Sequence, residues 1–275
     1  MQFNLADLHV HSFCSDGLRT PTQAVEEAEA AGVQSLSLTD HDTVDGIAEA
    51  LGAAENTGVE LIPGTEFSAH TTSREVHLLA YFIDWKSESL SEFLSCMRQY
   101  RRTRSDAIVA RLNDLGVDIT VEDVLRHSGE GVVGRPHVAA ALVDRGAIAS
   151  KEEAFDRYIG DRGPAAIPKP QTPVEKVIGL VHDIGGVAVL AHPGSSSREA
   201  EIARLVEYGL DGIEVYHPSH QPSQIQHYAE LAQKFGILAS GGSDSHGELE
   251  GSKIGDCGIG CEAVEALRER AASHA

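Results

Sequence analysis

The stretch "DLHVHSFCSDG" at positions 7–17 packs two imidazoles and two carboxylates into eleven residues. His9 and His11 are two apart, and in an extended strand residues i and i+2 point the same way. They therefore face one common point, which is either a metal ion or nothing in particular. Similar groups recur along the chain: "TDHD" with Asp40, His41 and Asp42, "PGTEFSA" with Glu66, "REVHLL" with His77, "AHP" with His192, "YHP" with His217, and "GSDSH" with Asp244 and His246. Imidazole and carboxylate ligands without thiolate suit zinc, manganese or iron(II). There are more ligands than one ion can use. A carboxylate such as Glu66 can bridge two ions, and a metal pair about 4 Å apart is the usual apparatus for hydrolysing phosphate esters. Four cysteines form no CxxC pair; Cys257 and Cys261 lack the second pair a zinc site needs and read as packed, reduced thiols.

The elements that must position these groups alternate. "FNLADLHVH" reads as a strand, and "RTPTQAVEEAEAAGV" as a helix with Thr20 as cap, Pro21 in the first turn and Gly32 as stop. "SLSLTDHD" is a second strand and "TVDGIAEALGAAENTG" a second helix, followed by the strands "VELIPGTEFSA" and "REVHLLAYFID". From about residue 88 to 160 helix follows helix, beginning with a long amphipathic one that ends at Gly116. Such a run looks like an insertion into an α/β scaffold. Beyond "GPAAIPKPQTP" the strand–helix rhythm resumes. Roughly seven strands separated by helices imply a parallel sheet, open or closed into a barrel. In that arrangement the candidate ligands, which fall at or near strand ends, open onto one face, where active sites of such folds sit. A scatter of unrelated histidines would not respect that register, so the set reads as a metal site.

The bulk composition is that of an ordinary globular protein of 275 residues with a net charge of −20. So acidic a chain is a poor partner for duplex DNA, whose binding depends on Lys and Arg; anionic substrates remain open, because bound metals invert the local field. No apolar run approaches the ~20 residues that span a bilayer. The start "MQFNLADLHV" does not read as a signal peptide, so a cytoplasmic location is expected.

Together, "DLHVHSFCSDG", "TDHD", "GTEFSA", "AHP" and "GSDSH" resemble the PHP (polymerase and histidinol phosphatase) family of metal-dependent phosphoesterases. The resemblance implies the α/β class, with a distorted (β/α)7 barrel of PHP type and a small all-helical insertion. The expected division is barrel 1–97, helical insertion 98–163 and barrel 164–275. It also implies two to three divalent ions, manganese first, with zinc or iron(II) as alternatives. One ion would take His9, His11, Glu66 and Asp244; a second Glu66, His77 and His192; a third Asp16, His41 and His246. Many family members have histidine where Asp16 stands, which implies a weaker third site or one that prefers a harder ion. Asp7 and Asp40 would orient ligand imidazoles.

Within the insertion, "YRRTRSDAIVARLNDLG", "GRPHVAAALV" and "IPKP" resemble the small members of the family that act as nucleoside 3′,5′-bisphosphate phosphatases. Relatives in that group also act as 5′-to-3′ exoribonucleases, and the motifs do not separate the two activities. The implied substrate is a small nucleotide or short RNA; a histidinol-phosphate-type phosphatase is a further alternative. Asp244 or a metal-bound water would shuttle protons, and His217 is another candidate, as donor to the leaving group or to phosphate. A second phosphate needs an anion pocket, for which Arg135, at the start of a helix, Lys169, between two prolines, and Arg104 are the candidates. Arg98, Arg101 and Arg102 share one helix face, which reads equally as a solvated one. His137 reads as structural, and His70, His127, His182, His220 and His227 as surface or core residues.

Overall fold

The computed structural model describes residues 5–129, 131–169, 171–194, 199–247 and 251–274. Phe3 and Asn4 of the first expected strand, and Pro170 beside Lys169, lie outside the described residues. Eight strands form one sheet in the order β7-β6-β5-β4-β3-β2-β1-β8. They are β1 (Leu5–Val10), β2 (Val33–Leu38), β3 (Glu60–His70), β4 (Glu75–Tyr81), β5 (Val187–Leu190), β6 (Gly212–Tyr216), β7 (Leu238–Gly241) and β8 (Ile259–Gly260). The segment after β7 returns to β1: Val10 bridges Ser245 in parallel, and the His11 N–H donates to the Ser245 carbonyl at 3.1 Å. Gly242 makes that approach possible, since a Cβ there would stand 2.4 Å from the Cβ of His9. The result is a nearly closed, barrel-shaped mixed sheet wrapped by helices.

One expectation changes here. The sheet is mixed rather than parallel, because β4 runs antiparallel to both β3 and β5. The reason is local: β3 and β4 are joined by the tight turn at Thr71–Arg74, with no crossover helix to reverse the chain. This reversal places His77 near the start of its strand, yet at the same barrel end as the C-terminal ends of the parallel strands, opposite Ser68 of β3.

The first helix, α1 (Pro21–Ala31), follows its local signals. Thr20 accepts from the Gln23 N–H at 3.0 Å, Gln23 reaches back to the Thr20 N–H at 2.9 Å, and Gly32 stops the helix at φ 76°. Next comes α2 (Ile47–Ala54), which starts several residues later than its sequence suggests. The long α3 (Glu88–Asp114) serves two cores: Leu90 and Leu94 pack on the barrel, and Ile108, Val109 and Leu112 pack among the helices that follow. Those are α4 (Val121–Ser128), α5 (Arg135–Asp144) and α6 (Lys151–Ala154), the last continuing into a π-helical turn at Phe155–Ile159. Val124, Val138, Leu142 and Ile159 complete their core. The sheet rhythm returns with α7 (Val174–Asp183), α8 (Glu199–Glu207) and α9 (Pro222–Phe235). The closing α10 (Cys261–Ala272) was not anticipated; it buries Val264, Leu267 and Ala271 against the barrel's inner apolar layer. Among the described residues, no helix is long and apolar enough to cross a membrane.

Candidate metal centre

On β1, Leu8 packs in the inner apolar layer and Val10 in a separate cluster with α1 and β2, with an irregular register between Asp7 and Val10, while His9 and, one residue past the strand, His11 are fully buried. Glu66, in the middle of β3, is the hub. Its Oε1 lies 2.7 Å from His77 Nδ1 and 2.9 Å from His192 Nε2. Its Oε2 lies 3.0 Å from His41 Nδ1, 3.3 Å from His11 Nε2 and 3.4 Å from His9 Nε2. Asp244 Oδ1 stands 3.3 Å from His9 Nε2 and 3.2 Å from His11 Nε2. Asp16 sits 3.3 Å from His246 Nε2 and 3.8 Å from both His11 Nδ1 and His41 Nε2. His9, His11, Asp16, His41, Glu66, His77, His192, Asp244 and His246 thus occupy one barrel end. The backbone there is strained: Asp42, His192 and Asp244 have φ of 50°, 24° and 50°, a region non-glycine residues seldom adopt.

Burial alone would raise the Glu66 carboxyl, but His41, His77 and His9 outweigh it and hold it well below the usual range. Asp244 is held low in the same way, chiefly by His9 and His11. Glu66 and Asp244 are therefore anionic, and they face imidazole nitrogens at a barrel end where Glu66 is buried and Asp244 half-buried.

The donors fit divalent cations. His11 Nδ1 and Nε2 and His41 Nδ1 are buried without a hydrogen bond, although carboxylate oxygens stand close by. Around a tetrahedral ion with bonds of 2.0–2.1 Å, ligand atoms lie about 3.3 Å apart, which matches the spacing of His9 and His11 from Glu66 and Asp244. Among the groups whose ligand atoms gather tightly enough for an ion are His9, His11 and Asp244; His9, Glu66 and His192; His9, Glu214 and His217; His41, Glu66 and His77; and His11, Asp16, His41 and His246. The last brings His11 to the expected third set.

The PHP domain profile matches residues 7–248. The chain belongs to the PHP domain family. It is similar to a 3′,5′-nucleoside bisphosphate phosphatase of Chromobacterium violaceum, 33% identical over 90% of this chain and 89% of that one. It is equally similar to a 5′-3′ exoribonuclease of Haemophilus influenzae, 34% identical over 87% of this chain and 89% of its relative. A solved protein of Bifidobacterium adolescentis, assigned as a metal-dependent phosphoesterase, superposes with a TM-score of 0.90 at 32% identity over 96% of both chains. This PHP protein is a metal-dependent phosphoesterase, a hydrolase, and its buried His/Glu/Asp clusters suit that chemistry.

The other candidate residues fall around this PHP centre. His217 Nε2 is 3.2 Å from Asp244 Oδ2, and its Nδ1 is 2.8 Å from Ser219 Oγ. Arg135 lines a cavity of about 260 Å³ together with His77 and His192, and its guanidinium donates to Asp161 at 2.6 Å and to the Ile159 carbonyl at 3.3 Å. Lys169 pairs with Glu75, which also lies 3.0 Å from His77 Nε2. Arg104 donates to the Ile167 carbonyl at 2.7 Å. The arginine run divides: Arg98 pairs with Asp45 and Arg102 with Asp106 at the surface, whereas Arg101 turns inward and donates to Asp42 at 2.8 Å and to Ser68 at 3.0 Å.

Asp7 and Asp40 hold backbone and hydroxyls rather than imidazoles, which corrects the expected role. Asp7 accepts from the N–H groups of Ser243 at 2.8 Å and Gly255 at 2.9 Å, fastening the last ligand loop to β1. Asp40 accepts from Ser12 N–H at 2.7 Å and from the hydroxyls of Ser12 and Ser15, each at 2.6 Å, fixing the loop that carries Asp16. Their carboxylates lie between chain segments distant in sequence, so only the folded geometry distinguishes the two roles. The residues missed were Glu75 and Glu214. For Glu214 there was a signal: an acid in the middle of "GIEVYHP", a strand otherwise apolar, three residues before His217.

Proposed function

We propose that the protein removes the 3′-phosphate of nucleoside 3′,5′-bisphosphates such as adenosine 3′,5′-bisphosphate, giving the nucleoside 5′-monophosphate and phosphate. One observation carries this reading. In a chain of net charge −20, Arg101, Arg104, Arg135 and Lys169 line three small cavities linked by shared residues, and the one lined by Arg135 is also lined by His77 and His192. A cationic cluster beside the metal-ligand cluster suits a substrate with two phosphates, one reacting and one held. The name of the Chromobacterium violaceum relative supports the same substrate class.

Two to three divalent ions, manganese first, would supply positive charge for the phosphoryl oxygens and lower the pKa of an attacking water. The chain's own residues divide the remaining work. Arg135 and Lys169 exchange Asp161 and Glu75 for the 5′-phosphate, with Arg104 alongside. His217, whose Nδ1 accepts from Ser219, would carry its proton on Nε2 against Asp244 Oδ2, and Asp244 would relay that proton to the departing 3′-oxygen. The second reading is a 5′-to-3′ exoribonuclease on short 5′-phosphorylated RNA, favoured by the name of the Haemophilus influenzae relative and served by the same cationic cluster. A histidinol-phosphate-type substrate, with one phosphate, leaves that cluster without a partner.

The test is phosphate release from adenosine 3′,5′-bisphosphate after chelation and manganese readdition, with a 5′-phosphorylated oligoribonucleotide in parallel. Metal-dependent release of 5′-AMP is expected. Stepwise mononucleotides from the RNA, without release from the bisphosphate, would replace the first reading by the second. Arg135→Ala is expected to raise KM for the bisphosphate about tenfold to a hundredfold with kcat nearly kept, the cost of one charge-assisted contact remote from the reacting phosphorus. An unchanged KM would place the anion pocket elsewhere.

A further inference from the structure

Glu214 lies at the centre of β6, and its side chain is fully buried inside the barrel. Its neighbours Ile213 and Val215 point outward into the apolar cluster beneath the helices, so the pleat turns Glu214 inward. One carboxylate oxygen lies 2.9 Å from His9 Nδ1. The other accepts from the backbone N–H of His192 at 2.6 Å. Burying an ionised carboxylate costs several kcal/mol unless its lone pairs are taken up, and here each oxygen has one donor from a different segment of the metal centre.

The geometry points to Glu214 as a positioning residue of the metal centre that sets two ligands at once. With Nδ1–H committed to Glu214, His9 has its Nε2 lone pair free, and that atom faces Glu66 and Asp244. A neutral imidazole carries one N–H, so the carboxylate dictates which nitrogen can ligate. The second oxygen holds the peptide of His192, whose φ of 24° is unfavourable without such an anchor. The two tasks need two acceptors facing two donors. A glutamine has the same shape but only one acceptor. Its NH2 would meet either the His192 N–H, releasing the strained turn, or His9 Nδ1, forcing the tautomer that blocks Nε2.

Glu214→Gln tests this with the full-length protein. Zinc and manganese dissociation constants, measured by chelator competition, are expected to rise about tenfold to a hundredfold, with unchanged ion stoichiometry at saturation. In ring-15N spectra of the zinc-loaded wild type, assigned with His9→Asn, His9 should carry its proton on Nδ1 and the metal on Nε2. A carboxylate that only stabilises the fold would lower the melting temperature of the variant and leave dissociation constants and tautomer as they were; that result overturns the assignment. Loss of one whole ion from the saturated variant would make Glu214 a ligand and overturn it equally. Metal on Nδ1 of His9 in the wild type does so without any variant, even where Glu214→Gln fails to fold. None of these readouts depends on which phosphoester is the substrate.

Discussion

Glu66→Gln is expected to fold, to lose at least one bound divalent ion per chain, and to hydrolyse phosphoesters about a thousandfold more slowly. Both oxygens of Glu66 are engaged: Oε1 with His77 and His192, Oε2 with His41, His11 and His9. Glutamine keeps the volume, which preserves packing at a buried position. It replaces one oxygen by an NH2 that cannot ligate a cation, and it removes the negative charge facing five imidazoles. Ions that stabilise transition-state charge contribute several kcal/mol, and each factor of ten in rate costs about 1.4 kcal/mol, which sets the expected loss. Metal analysis of the purified variant separates the two parts of the effect. Full metal content together with wild-type turnover would remove Glu66 from the centre.

What could be read from the chain follows from how local each signal is. Thr20, Pro21, Gln23 and Gly32 define α1 through contacts within a few residues, so cap and stop are legible without a fold. The candidate ligands are legible because their chemistry is unusual and their spacing follows the strand rhythm. The direction of β4 was less so, although two strands with only Thr71–Arg74 between them leave no room for a crossover. Asp7, Asp40, Glu66 and Glu214 are all buried acids on or just beyond inner strands. One faces several imidazoles, one bridges an imidazole and a peptide, and two hold loops. That difference is created by neighbours up to 248 positions away, as between Asp7 and Gly255, and no local pattern carries it. Arg101 differs from Arg98 and Arg102 for the same reason: its partner Asp42 is set by the barrel end and not by the helix it sits on.

Stripping the ions should expose the charge they balance. In the metal-free protein, burial alone would lower His11, but Asp244 and Glu66 outweigh it and raise it to about 10. Burial likewise opposes His77, yet Glu66 and Glu75 bring it up to about 9. An unfolded histidine titrates near 6.5, so between about pH 6.5 and 10 the folded chain binds more protons than the unfolded one. Stability therefore falls as pH rises through that window. The contribution of these two imidazoles is complete below about pH 6.5 and gone above about pH 10, and amounts to several kcal/mol. Asp7, pushed up to about 6 by burial despite the N–H groups of Gly255 and Ser243, titrates below the window and does not confuse it. Cations displace these protons, because an imidazole nitrogen must be deprotonated to ligate. Urea unfolding from pH 6.5 to 9.5 should therefore show a steep loss of stability in chelator and a flat profile with saturating manganese. Metal uptake at pH 7.5 should also release protons to the buffer, measurable by calorimetry in buffers of different ionisation enthalpy. A chelated protein whose stability does not change over this range would mean that Glu66 and Asp244 are not balanced by protonated imidazoles when the ions are gone.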